Sequence, residues 1–196
     1  MRREPVLLER FLSEALEQGA PLEGAEALGL AADALVPPAS LRMRLESSLD
    51  RTHRFDDLED IVAELADVPV ERARTLLLGI DAPSTLWDPG PAPGIDLLSF
   101  DGGPRVRDAI TGFVRHAPGT SFPEHDHVGD EKVLVLQGAF EESDGTVYRS
   151  GEIATRDAGS SHSYRAIGPL PLVTMAVVQG GVIIGGETIA PGDRRA

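Results

Sequence analysis

Two histidines and a glutamate fall close together in one stretch of the sequence, GTSFPEHDHVGDEKVLVLQG, which covers residues 119–138. If this stretch forms strands, His125 and His127 project to the same face, because side chains alternate along a strand. Glu131 opens the next strand after a short turn that contains Gly129, and it can return to the same space. Imidazole and carboxylate groups together suit first-row divalent metals. The stretch therefore predicts three neighbouring ligands of one metal ion.

A fourth candidate ligand lies further along the chain, in GEIATRDAGSSHSY. His162 follows a glycine-rich turn there, and a strand after that turn would bring it back across the fold toward the first three ligands. Tyr164, two positions later, is expected to point the same way. We take Phe122, Tyr148 and Tyr164 as candidates to line a pocket beside the metal, with simple filling of the core as the alternative.

Both stretches have the spacing of known motifs. The first reads G(X)5HXH(X)3E(X)6G, and the second, from Gly151 to His162, reads G(X)5PXG(X)2H except that Asp157 stands in place of the proline. On these two motifs the chain resembles the cupin superfamily over its last hundred residues or so. Ala166 occupies the position where the second motif has asparagine, so one polar partner is missing. Neither departure removes a ligand.

The sequence from the first motif to the second resembles the cupin domain of the ChrR-like anti-sigma factor subfamily. The resemblance implies a jelly-roll β-barrel and an extracytoplasmic-function sigma factor as partner. It also implies one bound divalent ion, with zinc favoured over iron, manganese or nickel, held by His125, His127, Glu131 and His162. One difference concerns the amino-terminal half. That family holds zinc there with a histidine and paired cysteines, whereas this chain has no cysteine.

The elements that must position these residues divide the chain into three parts. Residues 1–80 predict a helical module of about five helices with short connections, the last two at 55–68 and 70–80. Residues 81–94 contain four prolines and two glycines and predict a linker. Residues 95–196 alternate short β-rich runs with turn signals, such as Asp144-Gly145, and predict the antiparallel barrel. The expected fold class is α+β.

The run of residues 131–137 is apolar on both faces. Val133 and Val135 share one face with Glu131, and the alternate positions, which include Leu134 and Leu136, share the other. One face should line the barrel interior. We expect the other to be covered by a second sheet, by the helical module or by another copy of the chain, and a homodimer agrees with this pattern.

Composition excludes several classes of function. The net charge is −14, from 18 Lys+Arg and 32 Asp+Glu, so a nucleic-acid backbone would be repelled. The absence of cysteine excludes disulfides, thiolate nucleophiles and zinc fingers. The opening residues break their apolar positions with charges, and no run is long and apolar enough to span a bilayer. The expected location is the cytoplasm, without contact to a membrane.

Other residues with possible chemistry are weaker candidates. We interpret His116 as a surface histidine at the end of a strand and His53 as a solvated loop residue. Ser160 and Ser161 lack a G-x-S-x-G elbow and are explained by turn chemistry. The glycine clusters contain neither G-x-G-x-x-G nor G-x-x-x-x-G-K-[ST] and read as tight turns.

Two functions remain open. In the regulatory interpretation the barrel is a metal-dependent sensor, possible small-molecule ligands enter the barrel, and the helices bind a sigma factor. In the enzymatic interpretation the same ligands hold a divalent ion at which a small organic substrate reacts, as in cupin dioxygenases. Catalytic residues are unknown, because no separate general base is evident. We favour the regulatory interpretation.

Overall fold

The computed structural model describes residues 53–193. These residues lie within one compact unit that spans Arg51–Ala196. The three helices predicted in the first fifty residues lie outside the described residues, so the helical module of residues 1–80 stays a prediction. The two helices predicted at 55–68 and 70–80 are present.

The helical part of the described chain is short. A 3₁₀ turn at Asp56–Leu58 leads into helix α1, Glu59–Ala66, and helix α2 follows at Val70–Ile80. Helix α1 ends at Asp67, which has a left-handed backbone with φ 56°. Pro69 precedes α2, where its missing N–H removes no helical hydrogen bond. Neither described helix combines the length and the apolar character needed to cross a membrane.

Antiparallel strands make up most of the remaining described residues. The strands are β1 (Asp88–Pro89), β2 (Ile95–Ser99), β3 (Ala109–His116), β4 (Ser121–His127), β5 (Glu131–Gln137), β6 (Ala139–Glu142), β7 (Val147–Arg149), β8 (Ile153–Arg156), β9 (Ser161–Ile167), β10 (Leu172–Gln179), β11 (Val182–Ile184) and β12 (Glu187–Ile189). They form two six-stranded sheets. Sheet A has the order β1-β2-β3-β10-β5-β8, and sheet B has the order β12-β11-β4-β9-β6-β7.

The two sheets face each other and pack through their inner side chains. Val133 and Val135 of sheet A share one hydrophobic cluster with Phe140 and Tyr164 of sheet B. In the described residues no strand pairs from one sheet to the other. The prediction of an antiparallel, cupin-like β structure with helices is therefore confirmed, but the predicted barrel is not closed by backbone hydrogen bonds.

The segment predicted as a linker contributes to sheet A. Strand β1 lies within residues 81–94, and its Asp88 pairs with Leu97 of β2. The Trp87 ring lies against the guanidinium of Arg115 on β3, with the Arg115 Cζ 4.3 Å from the ring centroid. Part of the proline-rich stretch is therefore an edge strand, which tolerates proline because one side of an edge needs no donor.

Strand β5 is buried on both faces, as its sequence predicts. Val133 and Val135 face sheet B, while Leu134 and Leu136 belong to a cluster that includes Val62 of α1 and Leu77 of α2. Helices of the same compact unit therefore cover the outer face of sheet A. The doubly apolar strand gives no separate reason to expect a second copy of the chain, and the homodimer stays a prediction.

A close backbone approach holds the end of α1 against the segment between β2 and β3. Gly103 donates its N–H to the carbonyl of Ala66 at 2.8 Å. A Cβ at position 103 would lie 1.8 Å from the carbonyl oxygen of Asp67, so only glycine fits. The Asp67 carboxylate accepts hydrogen bonds from the backbone N–H of Arg105 at 2.8 Å and from its side-chain Nε at 2.6 Å.

Adjacent leucines on α2 test whether the helix stabilises the sheets. Leu77 is 1% exposed and packs in the cluster with sheet A, whereas Leu78 is 48% exposed. We expect Leu77→Ala to lower the free energy of unfolding by about 2–5 kcal/mol, because it leaves a cavity in the shared core. The control Leu78→Ala should change it by about 0.5 kcal/mol or less. Urea denaturation followed by β-sheet circular dichroism measures both, and equal losses would contradict this packing role.

Candidate metal centre

Both sheets contribute to the candidate site. His125 and His127 project inward from β4, and His125 pairs directly with His162 of β9 in the same sheet. Glu131 is the first residue of β5 in sheet A. The turn between β4 and β5 crosses from one sheet to the other. Gly129 in that turn passes so close to Gln179 that a Cβ would lie 2.5 Å from its carbonyl oxygen.

The structure brings the four predicted metal ligands together. His125, His127, Glu131 and His162 are all buried, and one ligand atom from each lies within 4.8 Å of all the others. The Nε2 atoms of His125 and His162 are 3.1 Å apart. The Glu131 Oε2 is 3.5 Å from the Nε2 of His127 and 3.5 Å from the Nε2 of His162. Ring nitrogens and a carboxylate oxygen at these separations form a set that could bind one divalent ion.

Hydrogen bonds to the outer ring nitrogens orient the histidines. His125 donates from Nδ1 to the carbonyl of Pro123 at 3.0 Å, and His162 Nδ1 lies 2.7 Å from Glu142 Oε2. His127 Nδ1 is 3.4 Å from the hydroxyl of Ser160. Each Nε2 is therefore left to face the centre of the cluster. The Nε2 of His127 is buried without a hydrogen-bond partner, which is what a missing metal ligand bond would leave.

A second layer of charge surrounds His162. Glu142 is 4% exposed and holds His162 Nδ1, and the Arg156 guanidinium contacts the other Glu142 oxygen at 2.6 Å. Sequence reasoning missed both residues. The alternation of side chains along β6 was one available signal, because it places Glu142 on the same strand face as the buried Phe140. A carboxylate behind a ligand histidine fixes the ring orientation and raises the basicity of the ligand nitrogen.

The pKa shifts in the cluster indicate which of its groups carry charge before a metal ion binds. Burial lowers the pKa of His125 and of His127, which keeps both rings neutral. Burial disfavours charge on Glu131 too, but the three histidines outweigh it and hold the pKa of that carboxyl below its ordinary value. Burial likewise opposes charge on His162, yet Glu131 and Glu142 raise its pKa to about 9. The metal-free cluster thus carries a positive charge on His162, which a metal ion would replace.

A cavity of about 330 Å³ opens beside the cluster, between the two sheets. His125 and Glu131 form part of its wall, together with the predicted pocket residues Phe122 and Tyr164, whose rings stack 5.2 Å apart. Tyr148 lies elsewhere, stacked on Phe140 at 5.2 Å outside the cavity wall. The cluster therefore has room for a small molecule on one side.

Two histidines differ from their interpretation as solvent-exposed residues. The side chain of His116 is fully buried, against Phe122 and Tyr164, with its Nε2 3.2 Å from the Tyr164 hydroxyl. The side chain of His53 is 10% exposed, with its Nε2 3.0 Å from Glu59 beside α1. The surface interpretation was wrong for both, because packing and pairing bury residues whose sequence neighbours are polar.

The departures from the cupin motifs leave the local structure intact. Asp157 takes the place of proline, and its carbonyl accepts hydrogen bonds from the backbone N–H of Ser160 at 3.1 Å and from the Ser160 hydroxyl at 2.6 Å. The Ser161 hydroxyl donates to the Asp126 carboxylate on the outer side of β4. Ala166 is fully buried in the inner apolar cluster, so no polar group is left there without a partner.

Two facing antiparallel sheets with an inward cluster of three histidines and one glutamate beside a cavity define a cupin-type domain with a candidate metal site. Residues 78–181 match the family described as the ChrR cupin-like domain. Because this match covers more than half of the 196 residues, the chain belongs to that family. No curated protein matches the chain.

Several solved structures are similar to the chain. A complex of Rhodobacter sphaeroides SigE with the anti-sigma ChrR matches with 19% identity, covering 87% of this chain and 83% of that chain, at a TM-score of 0.49. An acetylacetone dioxygenase from Acinetobacter johnsonii matches with 16% identity, covering 58% of this chain and 85% of that chain, at a TM-score of 0.48. An RmlC-like cupin protein from Ralstonia eutropha matches with 21% identity, covering 53% of this chain and 69% of that chain, at a TM-score of 0.46. At these values the similarities add no argument about function.

Neighbouring glutamates on β6 test the second layer of the site. Glu142 is buried against His162, and Glu141 is exposed on the other face. We expect Glu142→Gln to weaken metal binding about 10- to 100-fold, because an amide neither holds the His162 ring nor raises its basicity in the same way. Glu141→Gln is the control and should bind as the wild type does. Competition with a chromophoric chelator measures both affinities, and equal affinities would remove Glu142 from the site.

The burial of His116 predicts a loss of stability in acid. Burial lowers its pKa to about 4, whereas the unfolded chain takes up that proton near pH 6.5. Stability is therefore lost as the pH falls from about 6.5 to 4, by up to about 3 kcal/mol. Between these pH values metal-free His116→Asn should lose less stability than the metal-free wild type, as measured by urea denaturation. Parallel curves for the two proteins would contradict this assignment.

Proposed function

We propose that the protein is a metal-binding sensor of the ChrR-like type, which regulates an extracytoplasmic-function sigma factor. The observation that carries the proposal is the buried cluster of His125, His127, Glu131 and His162, with one side open to a cavity, in a chain of the ChrR cupin-like family. A metal centre beside a ligand cavity can respond to a small molecule or an oxidant by a change in its ligands. The family supplies the class of partner.

We propose Zn²⁺ as the resident ion, ahead of iron, manganese and nickel. His125, His127 and His162 would offer Nε2, and Glu131 would offer Oε2, which makes a nitrogen and oxygen donor set that zinc accepts. The ion would act as a Lewis acid toward an oxygen ligand from the cavity. The chain's own part is to hold the four buried donors together and to orient the rings through Pro123, Ser160 and Glu142.

The sigma-factor part of the proposal concerns the amino-terminal half. The chain has no cysteine, so a cysteine-based zinc site cannot form there. If the amino-terminal half binds a sigma factor, it does so through apolar and polar contacts, without a cysteine-bound zinc ion. The proposal further takes the protein to be cytoplasmic, where sigma factors act, and to form a homodimer, which light scattering on the purified chain would detect.

Removing one ligand tests the metal centre. We expect His127→Ala to lose the stoichiometric divalent ion that the wild type retains after dialysis, because three donors remain and one is the protonatable His162. Glu124→Gln, an exposed neighbour on β4, should retain the ion. Plasma mass spectrometry of both purified variants gives the metal content. A full complement of metal in His127→Ala would contradict the ligand assignment.

Co-expression tests the regulatory role. If an extracytoplasmic-function sigma factor is encoded beside the gene, we expect the full chain to co-purify with it and to inhibit its transcription in a reconstituted assay. An unrelated sigma factor of the same class serves as the control. No binding and no inhibition, with a metal-loaded and folded chain, would remove this function and leave the metal centre standing.

The cavity also supports a second candidate, a metal-dependent cupin enzyme such as a dioxygenase. A space of about 330 Å³ beside His125 and Glu131 would admit a small organic substrate. No separate general base is assigned, since Glu131 is a candidate ligand and catalytic residues stay unknown. Oxygen consumption by the Fe(II)-loaded protein in the presence of small organic acids and ketones would favour this function, with His127→Ala as the inactive control.

A further inference from the structure

The cavity beside the metal cluster lies against two neighbouring positions of sheet A that carry the smallest residues. Gly112 of β3 and Ala176 of β10 are register partners in the middle of sheet A, and both lie in the cavity wall. The other inward positions on these two strands include Ile110, Val114 and Val178, which carry larger side chains. The sequence therefore leaves a gap at one level of the sheet. That gap extends from the cluster toward the edge strands of both sheets.

The wall of this cavity is apolar and carries no positive charge. None of the described residues that line it is a lysine or an arginine, and its carboxylates are Glu131 and Glu187. Most of the wall consists of aliphatic and aromatic side chains, which include Ile110, Val114, Phe122, Val133, Ala176 and Val178. A second negative charge on a ligand would find no partner inside, and burying an unpaired charge is strongly unfavourable.

The opening of the cavity adds a selective charge. Strand β1 is an edge of sheet A and strand β12 is an edge of sheet B, and Pro89 and Glu187 from these two strands line the cavity. Because both residues are exposed, we take this end of the cavity to be its opening. A carboxylate at this position repels an anionic group that remains at the opening while the other end of a ligand lies inside.

Charge balance at the cluster favours one anion. Three neutral histidines and the ionised Glu131 around a divalent ion leave one net positive charge in a buried site. Buried charges are normally paired, so an anionic oxygen group completes the balance. A volume of about 330 Å³ lies near the lower end of the range for small-molecule sites, about 300–1,000 Å³.

We propose that this cavity binds a small organic monoanion, with its carboxylate at the His/Glu cluster, its apolar body against Ala176 and Ile110, and no second charge. This inference rests on the proposed metal centre, because the positive charge that pairs with the carboxylate comes from the ion. It names the chemical class of the ligand or substrate, whichever role the cavity has.

The test uses three carboxylates on the full-length, metal-loaded chain: acetate, hexanoate and adipate. Isothermal titration calorimetry should show hexanoate binding at least about tenfold more tightly than acetate, since each buried methylene adds about fourfold. Adipate has the same number of carbons as hexanoate but a second carboxylate, and it should bind at least tenfold more weakly. Equal affinities for the three acids would overturn the proposal, since they would indicate only a metal-bound carboxylate.

Two variants locate the binding site. Ala176→Phe fills the gap and should lower hexanoate affinity at least about tenfold while metal is retained, and Ala117→Phe, on an exposed turn residue, is its control. Glu187→Lys replaces the charge at the opening and should raise adipate affinity about fivefold with little change for hexanoate. Glu187→Lys changes an exposed residue, so it stays informative if Ala176→Phe does not fold. Unchanged binding in a folded Ala176→Phe or an unchanged adipate affinity in Glu187→Lys would overturn the proposal.

Metal analysis of the same samples separates this inference from the proposed function. A wild-type chain that cannot retain a divalent ion would overturn both. A chain that retains the ion but shows no preference for hexanoate would overturn only the ligand class.

Discussion

The candidate metal cluster depends on the position of Glu131 opposite the three histidines. His125, His127 and His162 belong to one sheet, and Glu131 belongs to the other. The cluster therefore exists only while the two sheets face each other at a fixed separation. No strand-to-strand pairing joins the sheets in the described residues, so the β4–β5 turn, the ion pair of Arg156 with Glu142 and side-chain packing hold that separation.

Two apolar clusters constrain strand β5, one on each side of sheet A. The inner cluster joins Val133 and Val135 to Phe140 and Tyr164 of sheet B. The outer cluster joins the alternate face of the same strand to helices α1 and α2. Because β5 takes part in both, the position of Glu131 at its beginning is constrained from both faces. The packing of α1 and α2 on sheet A therefore helps to fix the position of Glu131.

The same arrangement is compatible with both proposed functions. The ligands are buried and pre-oriented by Pro123, Ser160 and Glu142, so little reorganisation is needed to bind an ion. The cavity gives one side of the cluster access to a small molecule. The two proposed functions share this geometry, and they differ in the fate of the ligand and in whether the amino-terminal half binds a sigma factor.

The sequence predicted the four clustered residues in two ways, by strand periodicity and by the resemblance of two motifs to the cupin pattern. A period of two on a strand places His125 and His127 on one face, which follows from backbone geometry. The resemblance to the two motifs implied that Glu131 and His162 join them. The same local pattern predicted the doubly buried strand β5. Only the tertiary structure decided that helices cover that strand, that Glu142 and Arg156 stand behind His162, and that His116 is buried. These contacts join residues far apart in the sequence, and whether a strand-end histidine meets water or an aromatic cluster depends on what packs over it.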